Sequence, residues 1–151
     1  MFHIMNSWIK FALIIALTWF VVRTMRQGWG GAGGDLPQSV AGLVTQAKTL
    51  DRKLVLLITG PGWCPACVAM EQGLLSKPEW AAFAGKEIVF QAYNYPNGGE
   101  ATSPAHEDLL KLPGVEGFPT LVVAGPSGKI LALRSGYGGG AEEYIQWIRS
   151  L

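Results

Sequence analysis

Between residues 36 and 47, apolar side chains recur as Leu36, Val40, Leu43, Val44 and Ala47. That spacing of three to four residues marks one buried helix face and predicts a helix over 37–50. The next apolar run has no gaps: "LVLLITG", residues 54–60, is continuous and of strand length, as expected for a strand covered on both faces. A helix is expected from Cys64 to Leu75, with Pro78 bending or restarting it through "PEWAAFAG". "IVFQAY" (88–93) reads as a second strand, "NYPNGGEATSP" as a loop, and "AHEDLLKL" as a short helix stopped by Pro113 and Gly114. "TLVVAG" and "KILALRS" flank the turn "GPSG" and predict an antiparallel hairpin. The chain closes on "GGGAEEYIQWIRSL", an amphipathic helix with Tyr144, Ile145, Trp147 and Ile148 facing inward. Strands that alternate with helices pair in parallel, and the final hairpin adds antiparallel pairs. The expected fold class is therefore α/β, a mixed central sheet with helices on both faces.

A different pattern occupies residues 1–26, "MFHIMNSWIKFALIIALTWFVVRTMR". Phe11 to Val22 is apolar on every side, with Lys10 before it and Arg23 and Arg26 after. A cleaved signal peptide would follow such a run with small residues, whereas here Trp19, Phe20, Val21, Val22 and Arg23 follow. An uncleaved anchor would use Ile4 to Val22, about 28 Å of helix, with Lys10 snorkelling to the interface. Trp8 and Trp19 would then stand near the two membrane boundaries. The reading is an N-terminal transmembrane helix or uncleaved signal (1–26), a flexible tether "QGWGGAGGD" (27–35) and one folded domain (36–151). Arg23 and Arg26 favour a cytoplasmic domain by the positive-inside tendency, while Lys10 and the amino terminus pull the other way.

Composition changes this picture little. Hydrophobic residues make up 49% of the chain and charged residues 15%, and the apolar excess sits in the N-terminal segment. A net charge of +1 without any basic stripe gives no footprint for nucleic acid. Many of the glycines cluster at 28–34 and 136–140, which reads as joints between elements.

The chain's two cysteines lie in "TGPGWCPACVAMEQ". Cys64 falls where a buried strand gives way to a helix, and Pro65 takes the first helical position, where a missing N–H costs nothing. Free backbone N–H groups and the positive end of the helix dipole then favour thiolate over thiol at Cys64. Cys67, one turn on, is expected to be less exposed, and Trp63 to shield the sulfur from one side. This suits an attacking thiol and a resolving thiol. Other uses of the pair are weaker. A disulfide across so short a loop adds little stability, a zinc site needs about four ligands where the chain offers only His3 and His106 besides, and attached haem needs a histidine where Val68 stands. His106, in "SPAHEDLL", is expected to be exposed near a helix start.

From residue 38 onward the chain resembles the thioredoxin-like thiol–disulfide oxidoreductases, through "WCPAC" after a buried strand and "GVEGFPTLVV" further on. The resemblance implies a thioredoxin-like fold and a cis Pro119 set against the cysteine pair. The backbone of Phe118 would receive the substrate chain as an added strand. "SGYGGG" corresponds to the glycine-rich turn before the family's last helix. "CVAME" and "SKPEWAAF" are more similar to periplasmic thioredoxin-like domains of bacterial thiol-reducing systems than to cytosolic thioredoxin. One departure is Ile58, where thioredoxins carry a buried Asp that accepts the second cysteine's proton. Glu71, four residues after Cys67, is the possible substitute, although a helix position of this kind is more often solvated. The dipeptide between the cysteines, Pro65–Ala66, also differs from thioredoxin's, so the redox poise does not carry over.

The function expected is thiol–disulfide exchange on protein substrates at a bacterial inner membrane, the domain on the periplasmic side. Catalysis falls to Cys64 and Cys67, substrate binding to Trp63, Phe118 and Pro119. No cofactor and no metal are expected. With no third cysteine, a separate redox partner protein must reset the pair. The rival readings are a binding module or assembly factor that uses the Phe118–Pro119 groove, and a copper-handling protein, for which Met70 is the one additional soft ligand nearby.

Overall fold

The structure, a computed structural model, describes residues 33–151. The expected membrane helix and most of the glycine-rich tether lie outside the described residues. Among the described residues no helix is long and apolar enough to cross a membrane.

The uninterrupted apolar run becomes the central strand. β1 (Lys53–Thr59) lies between β2 (Ile88–Asn94) and β3 (Thr120–Ala124), and β4 (Ile130–Ser135) completes the order β2-β1-β3-β4. β1 and β2 are parallel, with Lys53 opposite Ile88 and Thr59 opposite Asn94. β1 and β3 are antiparallel, from Leu54–Ala124 to Ile58–Thr120, and β3 and β4 form the expected hairpin. A strand with neighbours on both edges and helices on both faces has no solvent side, so Leu54 through Thr59 are all buried.

Side chains alternate across the strand and divide the core in two. Val55 and Leu57 pack with Met70, Leu74, Trp80, Phe83, Tyr144 and Ile148 on one face. Leu54, Leu56 and Ile58 pack with Val40, Ala47, Leu109 and Val122 on the other. The first face is covered by α2 (Pro65–Met70), α3 (Pro78–Glu87) and α5 (Ala141–Ser150), the second by α1 (Ala41–Leu50) and α4 (Pro104–Leu110). Each fully buried aliphatic side chain contributes about 1.5–3 kcal/mol of transfer free energy, so β1 is the strand on which both layers depend.

Three expectations need adjustment. The first helix does not run evenly from 37: a short 3-10 turn, Gln38–Val40, leads into α1. The helix expected over Cys64–Leu75 is α-helical only to Met70 and then widens into one π turn over Glu71–Leu75, closed by Ser76 N–H donating to Glu71 O at 2.9 Å. Within this turn Gly73 leaves room for Tyr137, because a Cβ there would overlap the hydroxyl of Tyr137, which packs onto the helix at that point. Trp147 does not enter the core with Tyr144, Ile145 and Ile148. It is partly buried at the core's margin, where its ring meets Tyr144 edge-on and Arg134 lies above it.

Where the chain enters the domain bears on the site. Ile130 N–H donates to Gly34 O and Leu36 N–H to Gly128 O, both at 2.9 Å, so the segment from Gly34 lies beside the start of β4. That end of the sheet holds Ala124 and Leu54, the start of β1. Cys64 follows the other end of β1. The described chain therefore begins at the pole opposite the cysteines.

Candidate active site

Three connections meet at the far end of the sheet: the loop from β1 to α2, the loop from β2 to α4 and the turn into β3. The first carries the cysteines. Backbone N–H groups of Trp63 and Cys64 both donate to Gly60 O, at 3.1 and 2.9 Å, which folds the loop back before the helix starts. Cys64 is the N-cap of α2 with extended backbone, Pro65 follows at the first helical position, and the Cys67 N–H donates to Cys64 Sγ at 3.2 Å. This is the arrangement expected from "WCPAC", with one helix N–H directed at the first sulfur.

Cys64 and Cys67 are joined as a disulfide. They differ in access, Cys64 being 6% exposed and Cys67 1%. A shallow groove of about 410 Å³, lined by Pro61, Gly62, Trp63, Cys64, Pro65 and Val68, opens at the first sulfur and not at the second.

The turn into β3 supplies the opposite side. The Phe118–Pro119 peptide bond is cis. Thr120 Oγ1 donates to Gly117 O at 2.7 Å, and Gly136 N–H donates to Pro119 O at 2.7 Å, so the turn is held from both flanks. Pro119 is buried, and the Phe118 carbonyl oxygen lies 3.7 Å from Cys64 Sγ. In the oxidised pair this is a contact; on reduction the thiol of Cys64 can donate to that oxygen.

Trp63 is 39% exposed and closes the groove on a third side. Its ring meets Phe118 edge-on, with centroids 5.0 Å apart, and its indole N–H donates to Tyr95 O at 2.7 Å. Space for the ring exists because residue 60 is glycine: a Cβ there would stand 2.6 Å from Trp63 Nε1. Gly99, at φ +109°, brings the 96–100 loop against the same two rings, a Cβ there reaching 3.4 Å from Phe118. The chemistry available is that of a sulfur reached through a groove and flanked by an aromatic platform and the Phe118 carbonyl, with a second, less accessible sulfur behind it.

Trp63, Cys64, Cys67, Phe118 and Pro119 are thus brought together. Glu71 is not: it is exposed, begins the π turn, and its carboxylate has no hydrogen-bond partner among the described residues. Its four-residue spacing from Cys67 places it along the same helix, but Cys67 faces inward and Glu71 faces water. Met70 is fully buried in the core beside Leu74 and Trp80, turned to the sheet. His106 departs from its expected exposure. It is partly buried, with Nδ1 2.6 Å from Ser103 Oγ and Nε2 3.1 Å from Asn94 O. Ser103 Oγ also accepts the His106 N–H, at 3.3 Å, and so caps α4. Among the described residues no three His, Cys, Asp or Glu side chains gather as a metal site. Tyr95 and Gly60 were not visible as site residues in the sequence, because their contacts to Trp63 and Phe118 follow from folding and not from any local pattern.

Comparison with known proteins bears on the same residues. The profile of the thioredoxin-like domain family matches residues 43–151. The disulfide bond reductase DsbH of Chlamydia pneumoniae is 28% identical over 116 residues, covering 75% of this chain and 70% of that protein. A solved structure of DsbH oxidoreductase superposes with a TM-score of 0.64 at 27% identity, over 79% of this chain and 85% of the other. The C-terminal domain of Neisseria meningitidis DsbD in its oxidised form gives a TM-score of 0.55 at 26% identity, over 73% and 90%. With a cysteine pair at the start of a helix and a cis-proline turn beside it, the chain belongs to the thioredoxin-like domain family and is a thiol–disulfide oxidoreductase.

Proposed function

We propose that the protein reduces disulfide bonds in protein substrates, with Cys64 as the attacking and Cys67 as the resolving residue. The observation that carries this reading is the asymmetry of the pair: Cys64 stands at the mouth of the groove and Cys67 behind it. In the reduced protein the Cys64 thiolate attacks one sulfur of the substrate disulfide. The Cys64–substrate bond forms as the substrate S–S bond breaks, and the displaced sulfur leaves as a thiolate and takes a proton. Cys67, deprotonated, then attacks Cys64 Sγ, and the second substrate sulfur leaves in the same way. Two electrons have passed to the substrate, and the pair is left as a disulfide, to be reset by a dithiol on a separate partner protein. Trp63, Phe118 and Pro119 form the surface on which the substrate chain lies, the free Phe118 carbonyl being available to an added strand.

The direction of transfer is supported by similarity to a protein named as a disulfide bond reductase. Run backwards, the same steps oxidise a dithiol substrate, so the reduction potential of the 64–67 pair is the decisive measurement. A value near thioredoxin's, about −270 mV, with turnover of insulin disulfides, is the expected result. A value near that of a strong oxidant, about −120 mV, reverses the assignment.

The domain is proposed to act from a single-pass anchor: residues 1–26 in the bacterial inner membrane, 27–35 as tether and 36–151 in the periplasm. The near-spanning apolar length of Ile4 to Val22 supports the anchor, as does the lack of small residues after it. In intact spheroplasts, added protease is expected to digest the domain. Protection until lysis means that Arg23 and Arg26 have kept it in the cytoplasm.

A further inference from the structure

Tyr95 lies just past the end of β2, outside the cysteine motif, and is fully buried although it carries a hydroxyl. Its N–H donates to Thr59 O, at the end of β1, at 2.8 Å. Its hydroxyl donates to His106 O in α4 at 2.9 Å. Its carbonyl oxygen accepts the Trp63 indole N–H at 2.7 Å. Its ring meets Phe118 edge-on, with centroids 5.3 Å apart, and Phe118 meets Trp63 at 5.0 Å. One buried residue thus touches both groups that flank the groove at Cys64 while forming no hydrogen bond to either cysteine.

We infer that Tyr95 is a positioning residue for exchange with protein substrates, holding the Trp63 and Phe118 rings together as one platform beside Cys64. The inference rests on the reading of those two residues as the substrate platform. Trp63 stands on an exposed loop, and the Tyr95 carbonyl is the acceptor that fixes its ring. That carbonyl is immobile because the residue is tied at its N–H to one element and at its hydroxyl to another. A platform held in place before binding avoids the loss of side-chain freedom on binding. The sulfurs are placed separately, by the backbone of the 60–64 loop and α2. Loss of Tyr95 therefore weakens substrate binding more than it slows the chemistry.

The test uses the full chain in detergent, reduced beforehand, and follows its single-turnover oxidation by insulin and by bis(2-hydroxyethyl) disulfide, which is too small to span the platform. Tyr95→Leu is expected to raise the half-saturating insulin concentration about tenfold, the scale of one lost anchoring contact, with the limiting rate within about twofold. Preference for insulin over the small disulfide then falls about tenfold. Tyr95→Phe, which keeps the ring against Phe118 and loses only the hydroxyl's bond to His106 O, gives a smaller loss of about threefold. Gly60→Ala puts a methyl 2.6 Å from Trp63 Nε1 and displaces the indole without touching Tyr95. It is expected to show the same loss of preference. Combining it with either Tyr95 variant adds less than the sum of the two, because both act through one ring. Should Tyr95→Leu fail to fold, Tyr95→Phe with Gly60→Ala carries the same test. Equal losses with both disulfides, or full additivity with Gly60→Ala, reduce Tyr95 to a core residue and overturn the inference. Trp63→Ala separates this from the platform reading. If it leaves the preference intact, the platform itself fails; if it lowers the preference while Tyr95→Leu does not, only the role of Tyr95 fails.

Discussion

At the scale of single residues, the pair is defined by a small difference in access, 6% against 1%, and by one backbone N–H aimed at Cys64 Sγ. Both favour the first cysteine as nucleophile, since a buried thiol meets neither water nor substrate and an N–H donor stabilises thiolate. Cys64→Ser is therefore expected to abolish exchange. Cys67→Ser should accumulate a mixed disulfide with substrate, visible as a reducible adduct by mass spectrometry, because only the resolving step is lost. In the reduced wild type, iodoacetamide should modify Cys64 before Cys67; the opposite order exchanges the two roles. Glu71→Gln bears on how the Cys67 proton leaves. If the carboxylate takes part, the variant slows release of the mixed disulfide at neutral pH but not the initial attack. Equal rates in wild type and variant assign Glu71 to the solvated surface, in keeping with its exposure.

At the scale of elements, β1 joins the two core layers and delivers the cysteines to one end of the sheet. Leu57 is fully buried among Met70, Leu121 and Tyr144. Leu57→Ala should cost about 2–5 kcal/mol, measured as a lower midpoint in denaturant unfolding with an unchanged slope. The hairpin of β3 and β4 depends on its turn, where Gly128 has φ +87° and a Cβ would come within 3.0 Å of Val44 Cγ1. Gly128→Ala is expected to destabilise by about 1–2 kcal/mol through the left-handed backbone alone, and further if Val44 cannot yield. Exchange activity at low denaturant should survive that change, because Gly128 lies at the pole away from the site.

At the scale of the whole molecule, several tyrosines titrate with folding. Burial, with the neighbouring phenol of Tyr93 adding to it, pushes the Tyr95 hydroxyl up to about 12 from an ordinary 10.0. Burial also raises Tyr93, and it raises Tyr144 against the opposing hydrogen bond at Gly138 and the charge of Arg134. A folded-state pKa above the unfolded value favours the protonated form in the fold. The stability linked to it is complete below about pH 10 and is lost as the pH climbs towards 12. Denaturant midpoints measured across that window should fall, and less steeply in Tyr95→Phe. An unchanged slope in the variant would falsify the assignment to Tyr95.

Much of the architecture was legible in periodicity. A gapless apolar run of strand length between turn signals fits a strand covered twice, and spacings of three to four residues fit one buried helix face, so the element order and the mixed sheet follow from local patterns. The cysteine pair at a strand-to-helix junction was legible for the same reason, because N-cap geometry and Pro65 are local. The π turn at Glu71–Leu75 was not, and neither was the close approach of Tyr137 to Gly73 within it, which only folding brings about. Trp147 followed the apolar stripe of its helix and still stayed at the margin, because Arg134 and Tyr144 cover that place. The walls of the site belong to the same class: the Phe118 carbonyl 54 residues from Cys64, and the Tyr95 carbonyl 32 residues from Trp63. Hydrophobic patterning and helix capping act between neighbours along the chain, and so were readable before folding is considered. The placing of the Trp63 ring and of the Phe118 carbonyl beside Cys64 depends on contacts between segments 32 to 54 residues apart, which form only when the chain folds.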